Sequence, residues 1–138
     1  MADPLSITAS VVAILQLTGE VIKYLNDVKD APKECQQCTL EACNLQNLLF
    51  NLRYRLEEGQ SSDPWFTAIR ALAVAGGPFD QYKQALEQLQ AKLVADGTVQ
   101  KVIQRLVWKF TKTEIASILR RMERLKSLVS IALEMDHL

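Results

Sequence analysis

Seven residues, Cys35, Cys38, Ala42, Leu45, Leu49, Leu52 and Leu56, recur alternately three and four positions apart. That spacing returns to one side of an α-helix, whereas a strand would scatter the same residues over both of its faces. Phe79, Tyr82, Leu86, Leu89 and Leu93 form a second seam of this kind, and Ile115, Ile118, Met122, Leu125, Val129 and Ala132 a third. No segment of convincing length alternates with the period of two that a half-buried strand needs. Three apolar seams must cover one another, so the predicted fold class is all-α: a helical bundle of four long helices plus one or two short helices. With 49% hydrophobic residues, only five Gly and only four Pro, the composition favours helix over disorder.

The boundaries follow from local signals. Asp3-Pro4 places a carboxylate at a cap and a proline at the first helical position, which starts a first helix of about residues 4–28. A second helix of about 32–58 begins at Pro32 and ends in Glu58-Gly59-Gln60-Ser61-Ser62. Asp63-Pro64 opens a short third helix of about 64–75, closed by Gly76-Gly77. Pro78 opens a fourth of about 78–95, closed by Gly97. A short amphipathic helix of about 99–110 follows. Thr111 with Glu114 is a capping box that starts the last helix, of about 112–135. A chain of 138 residues holds one domain, 1–138, able to bury roughly two-thirds of its unfolded surface.

The first helix is the most informative segment. No charge occurs from Pro4 through Gly19, after which Glu20, Lys23, Asp27 and Lys29 arrive together. Ile7, Val11, Ile14, Val21, Ile22, Leu25 and Val28 follow one helical stripe, expected to pack on the bundle. Leu5, Val12, Leu15 and Leu17 lie on the other side, so the first half is apolar nearly all round. Spanning a bilayer takes about 20 apolar residues. The uncharged run is shorter and contains Ser6, Thr8, Ser10, Gln16 and Thr18, so a constitutive transmembrane helix is not expected. Two readings remain: a buried central helix, and a helix that leaves the bundle and enters a membrane together with other copies. Lacking a basic n-region, it does not look like a secretory signal.

Sixteen basic and sixteen acidic groups cancel overall. Residues 97–133, however, hold eight basic groups against two acidic ones: Lys101, Arg105, Lys109, Lys112, Arg120, Arg121, Arg124 and Lys126. Such a stretch is either a solvated helix face or a surface for anionic lipid headgroups. Nucleic acid is disfavoured, because only Trp108 and Phe110 are interleaved with the charges. These two aromatics read as an anchor for the short helix or as interfacial aromatics at a membrane.

Nothing in the sequence assembles a catalytic, cofactor or metal site. Cys35-x-x-Cys38 falls on the core seam, and the other possible zinc ligands are Cys43 and His137, so buried packing is expected ahead of redox or zinc chemistry. Three cysteines suit a reducing cytosol better than a disulfide framework. His137 sits near the chain end with no nucleophile beside it in sequence. Gly76-Gly77 is no phosphate loop, and Glu57-Glu58 reads as a solvated helix end. No enzyme is expected.

The opening Met1-Ala2-Asp3-Pro4-Leu5-Ser6-Ile7-Thr8-Ala9-Ser10-Val11-Val12-Ala13-Ile14-Leu15-Gln16-Leu17 continues through Val21-Ile22-Lys23-Tyr24-Leu25 to Asp30-Ala31-Pro32-Lys33-Glu34. Later come Trp108-Lys109-Phe110, Arg124-Leu125-Lys126-Ser127-Leu128 and Ala132-Leu133. Together they resemble the N-terminal HeLo-like domain of fungal STAND (NLR-like) proteins, over essentially the whole chain. The resemblance implies a cell-death effector in innate immunity, placed ahead of a tethered nucleotide-binding oligomerisation domain. It implies a cytoplasmic bundle that forms a homo-oligomer on activation and moves to anionic membrane lipids. The membrane-targeting element would be the first helix, through Leu5, Ile7, Val11, Val12, Ile14, Leu15 and Leu17. Glu20 would line a pore, unless it only marks where the helix meets solvent. Lys101, Arg105, Lys109, Arg120, Arg121 and Arg124 would touch headgroups. The competing expectation is a homotypic adaptor module that never meets lipid.

Overall fold

A computed structural model of the chain describes residues 4–58, 64–99 and 108–135. The described residues are all helical with connecting turns and contain no strand. Five helices follow in order: α1 (Pro4–Asn26), α2 (Lys33–Glu58), α3 (Pro64–Leu72), α4 (Pro78–Val99) and α5 (Lys112–Glu134). α1 packs on α2 and α4, α5 packs on the same two helices from the other side, and α3 lies against α5. The seams read from the sequence supply the core of this arrangement. Every residue of the seams on α2, α4 and α5 is buried, together with Trp65, Phe66, Ile69 and Leu72 of α3.

Several boundaries differ from expectation, each for a local reason. α1 stops at Asn26 rather than 28 because Asp27 and Val28 donate to the carbonyls of Tyr24 and Leu25, three residues back, which tightens the final turn. Asp30 then takes φ 52°, turning the chain towards α2. α3 ends at Leu72, before 75: Ala73 donates to Arg70 O in the same tight pattern, and Gly76 adopts φ 74°, open to glycine at no steric cost. α4 runs past Gly97 to Val99. A glycine weakens a helix interior by about 1 kcal/mol without ending it.

The expected helix over 99–110 falls largely outside the described residues, but its last three, Trp108 to Phe110, are not helical. The cause is the next helix. Thr111 caps α5 in an extended conformation (φ −77°, ψ 161°), which no continuous helix can pass. The capping box is complete: Glu114 N donates to Thr111 Oγ1 at 3.1 Å, and Thr111 N donates to Glu114 Oε1 at 2.8 Å. At the far end of α5, Arg55 of α2 donates to Leu133 O at 2.9 Å and occupies one of the terminal carbonyls.

The buried arc of α1 is also corrected. Ile7, Val11, Ile14, Val21, Leu25 and Val28 are buried as expected, but Leu15, assigned to the outer side, is 6% exposed, and Ile22, assigned to the stripe, is only half-buried. α1 sits in the angle between two helices, so the covered arc is wider than a single seam and is rotated towards Leu15 and Thr18.

Candidate functional site

The candidate site is α1 with the groups that hold it. Of the seven residues expected to act on a membrane, Ile7, Val11, Ile14 and Leu15 are core residues, Val12 and Leu17 are half-buried, and only Leu5 is free, at 82% exposure. Over the first half of α1 the exposed residues are Leu5, Ser6, Ala9, Ser10, Ala13 and Gln16, none of them charged, and Glu20, Lys23 and Asn26 follow on the exposed side of the second half. Among the described residues, one helical stretch, Leu5–Asn26, is long and apolar enough to cross a membrane, and 33% of its most apolar window is buried. Burial of the other apolar side chains by lipid would require α1 to leave α2 and α4.

Among the described residues, Thr18–Tyr82 and Glu20–Gln90 hydrogen bonds tie α1 to α4. Thr18 donates its hydroxyl to Ile14 O at 2.7 Å, which leaves the oxygen to accept from Tyr82 Oη at 2.8 Å. Both side chains are fully buried, and burial pushes the Tyr82 phenol well above its ordinary pKa. A buried hydroxyl without a partner is costly, so this pair specifies how α1 seats on α4. The second bond is at the surface: Gln90 donates Nε2 to Glu20 Oε2 at 3.1 Å. Glu20, the candidate pore residue, is exposed here. The Thr18–Tyr82 pair was missed from the sequence because a threonine in an apolar run looks solvent-facing until α4 is placed beside it.

Among the described residues, the arginines of the basic stretch are not placed against α1. Lys101 and Arg105 lie outside the described residues. Arg120, Arg121 and Arg124 are on α5, diagonal to α1 across the bundle. Arg121 donates to Gln88 Oε1 at 2.7 Å and to Ser117 O at 3.3 Å, and Arg124 to Gln81 Oε1 at 3.4 Å, so both lean over α4. These glutamines are uncharged, so the positive charge of both arginines stays uncompensated by them. Arg120 and Lys109 are exposed. Lys126 instead reaches the nearly buried Glu41 of α2 at 2.6 Å, a pair that neutralises it.

Lys92 of α4 organises the segment before α5. Its ammonium lies 2.9 Å from both oxygens of Glu114, donates to Lys109 O at 3.2 Å, and sits 4.9 Å above the Phe110 ring. The Lys92 hydrogen bond, then that from Thr111 N, holds the Glu114 carboxyl below its usual pKa. The Trp108 and Phe110 rings meet at a tilt of 48° with centroids 4.7 Å apart, and both pack half-buried on the core.

Cys35 and Cys38 are buried free thiols. Burial pushes Cys35 up to about 11 and Cys38 up to about 12, so both are uncharged at neutral pH and poor nucleophiles. Among the described residues, no group of three or more His, Cys, Asp and Glu side chains is placed to hold a metal ion. His137 lies outside them. A surface cleft of about 450 Å³ between α4 and α5 is lined by Lys92, Phe110, Thr113, Ser117 and Arg121 among others, and its two cations are already engaged by Glu114 and Gln88.

No family model matches the chain. Neither a curated protein nor a solved structure matches it significantly.

Proposed function

We propose that this chain is a HeLo-like effector domain, a bundle of four long helices with short helical pieces across an end, that induces regulated cell death by oligomerising and targeting membrane through α1. The observation that carries the reading is the character of α1: a helix apolar enough to cross a bilayer and uncharged over its first sixteen residues. A helix serving only as core ordinarily carries charge on its exposed face, and the exposed positions Leu5, Ser6, Ala9, Ser10, Ala13 and Gln16 carry none. In the quiet state α1 lies between α2 and α4, held by the Thr18–Tyr82 pair. A tethered nucleotide-binding oligomerisation domain raises the local concentration, and copies of α1 then enter the bilayer together. The exposed arginines of α5 add attraction to anionic headgroups, about 1 kcal/mol for each one near the surface. The domain is cytoplasmic before activation in this account and carries no enzyme activity.

The account is tested with the chain fused to an oligomerising scaffold and vesicles containing phosphatidylserine. Dye release is expected from anionic vesicles and should weaken as salt rises, because exposed charges act through a screened field. Replacing Arg120, Arg121 and Arg124 with Gln should weaken vesicle binding by roughly tenfold to a hundredfold while helicity is unchanged. Release that ignores salt and these substitutions would remove the electrostatic step, and no release at any lipid composition would remove the membrane reading in favour of an adaptor.

A further inference from the structure

The outer face of α2 carries a second seam that the bundle leaves uncovered. Gln36, Leu40, Cys43, Asn47, Phe50 and Tyr54 recur four, three, four, three and four residues apart. Leu40, Phe50 and Tyr54 are 59%, 50% and 66% exposed, Gln36 and Asn47 are exposed, and Cys43 is half-buried. No charge occurs from Ala42 to Leu52, although much of that stretch faces solvent. The outer faces of α4 and α5 are different, with Lys83, Glu87, Arg120, Glu123 and Arg124 exposed on them. A solvated helix face ordinarily carries such charges, so the bare face of α2 needs another explanation.

We propose that α2 pairs with α2 of a second copy, parallel and in register, around Asn47. The alternating spacing is that of a two-stranded coiled coil, and a single asparagine within such a seam selects the register in which it meets its own counterpart. Charge complementarity selects the direction. In a parallel pair the residue just before Leu40, Asn47 or Tyr54 meets the residue five positions on in the other copy. Thr39 then meets Asn44 of the second copy, Gln46 meets Asn51, and Arg53, which pairs with Glu57 of its own helix at 3.1 Å, also comes beside Glu58 of the second copy. Two pairs join hydrogen-bonding groups, the third joins opposite charges, and no like charges meet. An antiparallel pair would set Arg53 beside Thr39, gain no ion pair, and move Cys43 away from its counterpart.

The seam from Gln36 to Tyr54 is about 27 Å long at 1.5 Å per residue, short of the three to four heptads over which such seams are usually sustained. Pairing is therefore weak for the free chain and becomes complete when copies are tethered, where effective concentrations reach about the millimolar range. The inference rests on the self-association in the proposed function and not on its lipid step, so it is tested in solution.

Sedimentation equilibrium of the full chain from micromolar to millimolar concentration should show a monomer–dimer equilibrium. Mild oxidation with copper phenanthroline should then link the dimer through Cys43, since Cys35 and Cys38 are buried, and Cys43→Ser should abolish the link. Leu40→Glu with Phe50→Glu, both at exposed positions, should raise the dissociation constant by about a hundredfold with helicity unchanged. A chain that stays monomeric up to millimolar concentration, or a dimer that survives the double substitution, overturns the proposal. A dimer that forms without a Cys43 link overturns the in-register parallel arrangement. Failure of vesicle leakage alone leaves the pairing standing, whereas loss of pairing with leakage intact sinks this inference and spares the membrane reading.

Discussion

Ala13→Asp in the oligomerised protein gives a folded bundle that releases vesicle contents at least tenfold more slowly than the parent. Ala13 is exposed on α1, so an aspartate there meets water and the docked fold accepts it. In a bilayer the same residue lies in the middle third of the apolar stretch Leu5–Asn26, and aspartate near a helix centre costs about 2.5–3.5 kcal/mol per copy on insertion scales. With several copies entering together, the penalty multiplies. Val12 is half-buried, and a charge there would confuse loss of fold with loss of insertion. The check is dye release at matched helicity and matched oligomer size. Full release by the folded variant would mean that α1 does not enter lipid.

Truncating Leu25 has the opposite signature. Leu25 is 2% exposed near the C-terminal end of α1, and Leu25→Ala removes packing that the neighbouring helices cannot fully refill. The expected loss is about 2–5 kcal/mol in chemical denaturation. Ile22→Ala, at a half-buried position, should cost clearly less. Because the same packing holds α1 in place, Leu25→Ala should also release vesicle contents at a lower degree of oligomerisation than the parent. Equal costs at the two positions would show that the buried arc of α1 has been misplaced.

The core seams of α2, α4 and α5 were legible because apolar residues spaced three and four apart run unbroken along each helix, from Cys35 to Leu56, from Phe79 to Leu93 and from Ile115 to Ala132. α1 was only partly legible. With Leu5, Ile7, Val11, Val12, Ile14, Leu15 and Leu17 spread round the helix, periodicity cannot say which side is covered, and contact with two helices rather than one moved the arc onto Leu15. Gly97 resembles a stop because glycine often follows a helix, yet glycine alone does not end one. The capping box at Thr111 was visible in sequence. Its consequence for Trp108–Phe110 was not, since an extended cap forbids helix just before it whatever the apolar pattern. The arginines of α5 were visible as charges, but their lean towards Gln81 and Gln88, and their distance from α1, depend on which helices become neighbours. The outer seam on α2 was present in the sequence all along, hidden because the stronger core seam on the same helix accounts for most of its leucines.

In this mechanism α1 leaves the bundle for lipid when copies are brought together. That step is tested most directly with an environment-sensitive dye on the cysteine of an Ala13→Cys, Cys43→Ser chain. In the monomer, and in the oligomer without vesicles, the dye at this exposed position should emit as in water and be quenched by aqueous iodide. On adding phosphatidylserine vesicles to the oligomer, the account predicts a blue shift and loss of quenching, while the monomer stays unchanged. A dye that remains quenched in oligomers that have released the vesicle contents would contradict it.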